Sequence, residues 1–338
     1  MTGLQIFLRI LLLLASAAVP DICAEASFGG AISTDLQVGF YSSACPGAED
    51  MVRQTVEQIV AVDKKKGASL IRLLFHDCFV EGCDGSILID STSNNTAEKD
   101  AFPNLTLRGL AIIDEAKSLV EARCPGIVSC ADIIALAARD SVNLLGGPHY
   151  EVRTGRRDGR VSIDSAALSD LPAPTVNDVH QLISAFAKKG LSQAQMVTLS
   201  GLHTVGQASC AQIVNRLYNF SSTASADPTL EPFFAGTLRA SCPKDYNIAS
   251  LQRLVDMDQI SPDRIDRMYF VSLLGGRGLL TSDATLARSR ETLLQVFQYA
   301  AIPTLWESDL VAALQALGEI EVKTGEEGEI RLNCRAVN

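Results

Sequence analysis

The chain has little of what several large classes of protein need. Its 338 residues include 29 Lys and Arg against 39 Asp and Glu, for a formal net charge of −10. Nucleic-acid binders usually carry basic surfaces, so this acidity argues against that class. Only 6% of the residues are aromatic, so the core must be built chiefly from Leu, Ile, Val and Ala. Beyond the N-terminal region, no apolar run approaches the ~20 residues that span a bilayer.

Residues 1–26 have the pattern of a secretory signal peptide. Arg9 supplies positive charge, ILLLLASAAV is a short apolar run, and Ala24-Glu25-Ala26 fits a cleavage site. A signal anchor is the alternative, but the apolar run is shorter than the ~20 residues a spanning helix needs. The sequence therefore predicts a secreted protein with a signal peptide at 1–26 and one mature domain at 27–338.

Cysteine is abundant, with nine residues in the chain. Cys23 lies in the predicted signal peptide, which leaves eight in the mature chain. An even number in a secreted protein indicates four disulfides. Zinc sites are the competing interpretation, but they need closely spaced Cys and His, whereas these cysteines are scattered. Spacing alone suggests only one pair, Cys78 with Cys83.

The apolar periodicity predicts a mostly α-helical single domain with minimal β-structure. Ser192 and Gln195 form a capping-box pattern that opens a helix, which Gly201 ends. Residues 150–154 suggest a short extended piece. Apolar spacing predicts further helices at residues 49–63, 108–122, 129–142, 177–189, 207–220, 264–274, 283–297 and 307–317.

Histidine is scarce, and the four residues can be weighed one by one. His149 and His180 have surface-like settings. Arg72 and His76 are four residues apart, which places a cation and a potential general base on one helix face. His203 follows a glycine-marked helix end, where it is open to a large ligand, although a buried structural histidine is the commoner explanation.

The small number of histidines favours a haem site over a zinc site. Four dispersed histidines make a three-His zinc site hard to build, whereas haem needs one axial ligand and a polar face opposite. An arginine beside the second histidine suits a reaction in which negative charge develops, such as cleavage of a peroxide O–O bond. Asp77, Asp84 and Ser86 follow directly and offer hard oxygen ligands for an ion.

These stretches resemble the secretory plant (class III) haem peroxidases over nearly the whole mature chain. The distal signature is Arg72 to Ser86, and LSGLHTVGQASC, Leu199 to Cys210, resembles the proximal one. Further similar segments are FYSSACP (40–46), CPGIVSCADIIALAARD (124–140), GRRDG (155–159), LPAP (171–174) and RLNCRAVN (331–338). The resemblance implies one protohaem (haem b) between two helical halves, and a peroxidase that reduces hydrogen peroxide while oxidising small phenolic donors.

The resemblance also implies roles for the distal residues. His76 would act as general base and then general acid on the peroxide, and Arg72 would stabilise the developing charge. Asn104 would orient His76, and Phe75 would pack over the haem.

On the proximal side, His203 would be the axial iron ligand. Asp283 would accept the hydrogen bond from its other ring nitrogen. Pro172 would line the channel of the aromatic donor.

Two calcium sites and a disulfide pairing are implied in the same way. The distal site would comprise Asp77, the Val80 and Gly82 carbonyls, Asp84 and Ser86, with Glu98 reaching it through water. The proximal site would comprise Thr204, Asp258, Ser261, the Arg264 carbonyl and Asp266. The implied disulfides are Cys45–Cys124, Cys78–Cys83, Cys130–Cys334 and Cys210–Cys242.

Several residues depart from the family pattern, and three of them near these sites are Glu81, Leu202 and Arg267. None removes a catalytic group, which argues against the alternative of a calcium-binding protein that has lost catalysis. The signal peptide and cysteines argue against an intracellular superfamily member. The chain ends at Asn338 without a hydrophobic tail, which favours the cell exterior over a vacuole, and we expect a monomer. Asn94 and Asn219 are expected glycosylation sites.

Overall fold

The fold is described from a computed structural model, which covers residues 35–244 and 252–338. The predicted signal peptide lies outside these residues. No described helix is both long and apolar enough to span a membrane. The helices are α1 Ala48–Val62, α2 Lys64–Cys78, α3 Leu110–Arg123, α4 Cys130–Leu144, α5 Asp164–Asp170, α6 Val179–Lys188, α7 Gln193–Ser200, α8 Val214–Tyr218, α9 Pro232–Ser241, α10 Met268–Leu274, α11 Thr281–Leu286, α12 Arg290–Ala301 and α13 Pro303–Gly318.

The β-structure of the described chain is two small antiparallel sheets. Strand β1, Gln37–Val38, pairs with β2, Arg153–Thr154. Strand β3, Gln207–Ser209, pairs with β4, Leu254–Asp256. The predicted mostly helical fold with minimal β-structure is confirmed.

The predicted helix over residues 207–220 is wrong in its first half. That half forms β3 and a 3-10 turn, Cys210–Gln212, and only α8 is α-helical. Gly206 has a φ of +91°, which turns the chain before β3. The Cys210 amide then donates to the Arg253 carbonyl at 2.8 Å. Pairing with a distant strand therefore replaces the local helical hydrogen bonds.

The distal helix α2 lies in the main core, where it packs against α1 and α4. Asp63 ends α1 and caps α2, because its side chain accepts from the Lys65 amide at 2.9 Å. Leu70, Leu73 and Leu74 are buried in the core. Arg72 and His76 alternate with these residues and occupy another face of the same helix.

The proximal histidine is positioned by the end of α7. The capping box of Ser192 and Gln195 opens this helix as predicted. At Gly201 the chain continues as a 3-10 turn, Gly201–Thr204, which carries His203. A Cβ at Gly201 would come within 2.6 Å of Trp306 Nε1 and 2.7 Å of Phe270 Cζ. Glycine thus lets the turn lie directly on two large aromatic side chains.

We expect Gly201→Ala to destabilise the protein, because its methyl group overlaps Trp306 and Phe270. Overpacking of this kind costs about 1–3 kcal/mol. The matched control is Gly236→Ala in α9, where an added Cβ meets nothing within 4 Å. Neither glycine has a positive φ, and alanine inside α9 should be neutral or stabilising because it favours the helix. Denaturant unfolding of the two variants measures the difference, and equal stabilities would contradict this account.

Candidate active site

A chain of hydrogen bonds joins four residues on the distal side. Arg72 Nε donates to His76 Nε2 at 3.0 Å, and His76 Nδ1 lies 2.6 Å from Asn104 Oδ1. Asn104 Nδ2 donates to the Glu98 carbonyl at 2.7 Å, so the amide oxygen must face His76. The imidazole proton therefore sits on Nδ1, and Nε2 is the basic nitrogen.

The surroundings of His76 keep its ring neutral. Burial lowers the pKa of His76 well below its usual value, and the nearby Arg72 charge lowers it further. Burial also lowers the pKa of Arg72 to about 10, with a smaller contribution from Arg108. Arg72 remains protonated at neutral pH and is held by the Thr106 hydroxyl and the Pro103 carbonyl, each at 3.1 Å. A neutral base and a fixed cation thus lie side by side.

On the proximal side, His203 is tied to a buried carboxylate. Its Nδ1 lies 2.7 Å from Asp283 Oδ1, which also accepts from the Tyr269 hydroxyl at 2.9 Å. The Leu280 amide holds the other carboxylate oxygen at 3.2 Å. The His203 side chain is 42% exposed, whereas that of Asp283 is 2% exposed. Within the described residues, His203 Nε2 has no hydrogen-bond partner, so this nitrogen can serve as a metal ligand.

Contacts between α2 and the segment after His203 bring the two sides together. Lys65 Nζ donates to Asp256 Oδ1 at 2.7 Å and to the Pro262 carbonyl at 3.1 Å. A Cβ at Gly206 would lie 3.2 Å from the Cβ of Ala68. The beginning of the helix that carries Arg72 and His76 is therefore packed against the chain that follows His203.

Phe75 and Pro172 are both half-buried. The Phe75 ring lies 4.2 Å from that of Phe79 and 5.8 Å from that of His76, measured between centroids. Near Pro172, the Pro174 carbonyl accepts from the Ser282 amide at 3.1 Å. The LPAP segment thus runs beside the start of the helix that holds Asp283.

The distal oxygen cluster, which we define as Asp77, Asp84, Ser86 and Glu98, is buried directly behind His76. By hydrogen-bond geometry, Asp77 Oδ1, Ser86 Oγ and both Glu98 carboxylate oxygens have no partner among the described residues. Burial raises the pKa of Glu98 to about 9, and the neighbouring acidic groups add to this. Burial and the Asp84 charge likewise raise the pKa of Asp77. Buried, unpaired oxygens of this kind suit a bound cation.

Val80 and Gly82 lie in the loop that follows Asp77. The Cys78–Cys83 disulfide closes this loop, and both residues are buried. Their carbonyls therefore belong to the same short segment as Asp77, Asp84 and Ser86.

The residues implied for the proximal calcium site also come together. Asp258 Oδ2 accepts from the Thr204 hydroxyl at 3.2 Å and lies 3.2 Å from the Ser261 hydroxyl oxygen. The Thr204 hydroxyl lies 3.4 Å from the Arg264 carbonyl, and the Ser261 hydroxyl donates to Asp266 Oδ1 at 3.0 Å. Burial raises the pKa of Asp258, and the Asp266 charge adds to this effect. Thr204 is adjacent to His203, so this oxygen set braces the proximal turn.

The sequence of the chain is similar to those of known proteins. The peroxidase family model matches residues 52–301. Peroxidase 5 of Vitis vinifera is 48% identical over 308 residues, which cover 91% of this chain and 93% of that protein. Peroxidase 3 of Arabidopsis thaliana is 44% identical over 312 residues, or 91% of this chain and 94% of that protein. The chain belongs to the peroxidase family.

The predicted membership of the secretory plant (class III) haem peroxidases is thereby confirmed. The chain is a peroxidase, an enzyme that uses hydrogen peroxide to oxidise donor molecules. Membership of the family implies a haem.

The part of the peroxidase that the structure describes contains four disulfides, with the same pairing that the resemblance implied. They are Cys45–Cys124, Cys78–Cys83, Cys130–Cys334 and Cys210–Cys242.

The three departures take different positions in the structure. Glu81 is exposed and has a φ of +62°, so the loop turns sharply there. Arg267 reaches away from the proximal oxygen set and donates to the Ala300 carbonyl. Leu202 is half-buried against the main core.

Sequence reasoning missed three residues that contact these sites. Tyr269 donates to Asp283, and Thr106 helps to hold Arg72. Lys323 donates to Asp84 at 2.6 Å. Lys323 is 239 residues from Asp84 in sequence. Tyr269 lies on a different helix from Asp283, and Thr106 gave no signal beyond its place in a glycosylation pattern.

We expect Asn94 and Asn219 to accept glycans and Asn104 to remain unmodified. All three fit the Asn-x-Ser/Thr pattern, but Asn104 is only 2% exposed and both ends of its amide are hydrogen-bonded. Asn94 and Asn219 are exposed. Glycopeptide mass spectrometry of the secreted enzyme tests this, and a glycan on Asn104 would contradict the observed orientation of its side chain.

Proposed function

We propose that His76 and Arg72 activate hydrogen peroxide in this enzyme. The observation that supports this most is the hydrogen-bond chain from the Glu98 carbonyl through Asn104 to His76, which leaves Nε2 basic. His76 Nε2 takes a proton from hydrogen peroxide and returns it to the leaving oxygen, which departs as water. Arg72, held beside Nε2, stabilises the negative charge that develops as the O–O bond polarises.

His203 would hold the iron of the haem through Nε2, and Phe75 would pack against the macrocycle. The free Nε2 atom and the exposed side chain of His203 fit such a ligand. When bound, the haem would take up the two oxidising equivalents of hydrogen peroxide and relay them to the donors. Asp283 accepts the hydrogen bond from Nδ1 and makes the imidazole a stronger electron donor.

We further propose that the donors are small phenols, oxidised one electron at a time. Pro172 would line their approach, because its segment is half-exposed and runs beside the helix of Asp283. A phenol needs no charged partner for such a site, since its ring packs against apolar and aromatic side chains.

Two calcium ions would occupy the distal and proximal oxygen sets. Among the described residues, no three His, Cys, Asp or Glu side chains are grouped so that they could hold a metal by themselves. Glu98 would therefore reach the distal ion through water, and carbonyl and hydroxyl oxygens would join the carboxylates in both sets, a donor mixture that suits calcium. The unpaired oxygens of Asp77 and Glu98 support the distal ion.

We also propose that the enzyme is secreted as a monomer after removal of residues 1–26, with residues 27–338 as its mature domain. The four disulfides support an oxidising destination.

His76→Ala should slow the reaction with hydrogen peroxide by about 10²–10⁴-fold, because it removes the general base. Stopped-flow spectroscopy of the haem enzyme measures this rate. His149→Ala is the control, since His149 is exposed and distant in sequence from the catalytic residues. A His76→Ala enzyme that reacts at the wild-type rate would exclude the proposed role.

Asp258→Asn should reduce the calcium content from two ions to one and lower the thermal midpoint, because it weakens the proximal oxygen set. Asp263→Asn is the matched control in the same loop: Asp263 pairs with Lys65 at 2.9 Å and belongs to neither set. Elemental analysis of both purified variants counts the ions. Two retained ions in Asp258→Asn would contradict the proximal site.

A further inference from the structure

A positively charged side chain, that of Lys323, lies beside the distal oxygen cluster. Lys323 Nζ lies 2.6 Å from Asp84 Oδ2 and 3.2 Å from the Glu81 carbonyl oxygen. The Asp84 side chain is 2% exposed and that of Lys323 is 29% exposed. Salt screens this partly buried ion pair less than it would screen an exposed one.

The backbone around Lys323 packs against the loop that the Cys78–Cys83 disulfide closes. The Cys83 amide donates to the Ile320 carbonyl at 3.0 Å, and the Arg157 amide donates to the Lys323 carbonyl at 2.8 Å. At Gly82, an added Cβ would lie 2.4 Å from the Glu321 carbonyl oxygen, so the two segments are in direct contact. The backbone that carries the Lys323 ammonium group is thus held in place by these contacts.

Both carboxylate oxygens of Asp84 are already engaged by donors. Oδ1 accepts from the Ser86 amide at 2.9 Å, and Oδ2 accepts from Lys323. By contrast, Asp77 Oδ1 and the Glu98 carboxylate have no hydrogen-bond partner within residues 35–244 and 252–338. An ion bound in the cluster would therefore have to share Asp84 with the positive charge of Lys323.

The number of charges around a calcium ion tunes its affinity. Lys323 cancels one negative charge at the cluster and repels a dication placed beside Asp84. Glu81 contributes through its backbone, because its carbonyl oxygen accepts the second hydrogen bond of the ammonium group.

We propose that Lys323 is a positioning residue that shares Asp84 with the distal calcium ion and weakens the binding of that ion. This inference rests on the proposed distal calcium site. A residue near the C-terminus would thereby control the affinity of the ion that binds next to His76.

Lys323→Met tests the proposal, because methionine keeps most of the side-chain length without the charge. Calcium affinity of the haem enzyme is measured by competition with a fluorescent calcium indicator. We expect the distal ion to bind at least about tenfold more tightly in the variant. Repeating the titration in the Asp258→Asn background isolates the distal ion. Lys323→Gln provides a second neutral variant, and Lys323→Arg should keep the wild-type affinity.

Lys189→Met is the matched control. Lys189 pairs with Asp170 at 2.9 Å and with Glu321 at 3.5 Å, near Lys323 in the fold but not at Asp84. If the calcium affinity of the distal site is unchanged or weaker in both Lys323→Met and Lys323→Gln, the proposed role of Lys323 is overturned, but the distal site itself is not. A wild-type enzyme that binds no distal calcium overturns the site itself, and the role of Lys323 with it.

Discussion

The hydrogen bond between His76 Nδ1 and Asn104 Oδ1 is the constraint on which the distal side depends. It fixes the proton on Nδ1 and leaves Nε2 as the base. Asn104 can accept only because its amide nitrogen is occupied by the Glu98 carbonyl. Glu98 also turns its carboxylate into the distal oxygen cluster. Glu98 therefore links the orientation of His76 to the proposed calcium site, through its backbone carbonyl on one side and its carboxylate on the other.

The proximal side repeats this arrangement with different residues. Asp283 accepts the hydrogen bond from His203 Nδ1, as Asn104 accepts the one from His76 Nδ1. Because a carboxylate is negatively charged, it makes the imidazole ring more electron-rich than an amide does. Tyr269 donates to the same carboxylate oxygen, and burial together with the Asp283 charge raises the pKa of Tyr269, so the phenol keeps its proton. The second donor limits the charge that Asp283 can place on His203. The two histidines thus have opposite electronic settings: His76 lies beside an arginine, and His203 lies beside an anion.

Much of the fold follows from local patterns in the sequence. Apolar spacing indicates α1, α3 and α4, and the capping box opens α7, because short-range hydrogen bonds and one buried face decide these elements. The pairing of β3 with β4 could not be predicted from local spacing, since residues about 50 apart supply its hydrogen bonds.

The site divides in the same way. Arg72 and His76 could be placed together from their spacing on one helix. The partners Asn104 and Asp283 came from the family resemblance, because each lies on a separate element. Lys323 and Asp84 are 239 residues apart, and neither residue type nor spacing indicates their contact.

The path of the C-terminal segment has a consequence for the order of assembly. After α13 the chain returns to the distal side, where Lys323 contacts Asp84, Arg331 donates its amide to Asp158 at 2.9 Å, and Cys334 is joined to Cys130. The distal helix is among the first parts of the domain to leave the ribosome, but the residues that complete its surroundings are among the last. A nascent chain therefore acquires the finished distal environment only when synthesis is nearly over.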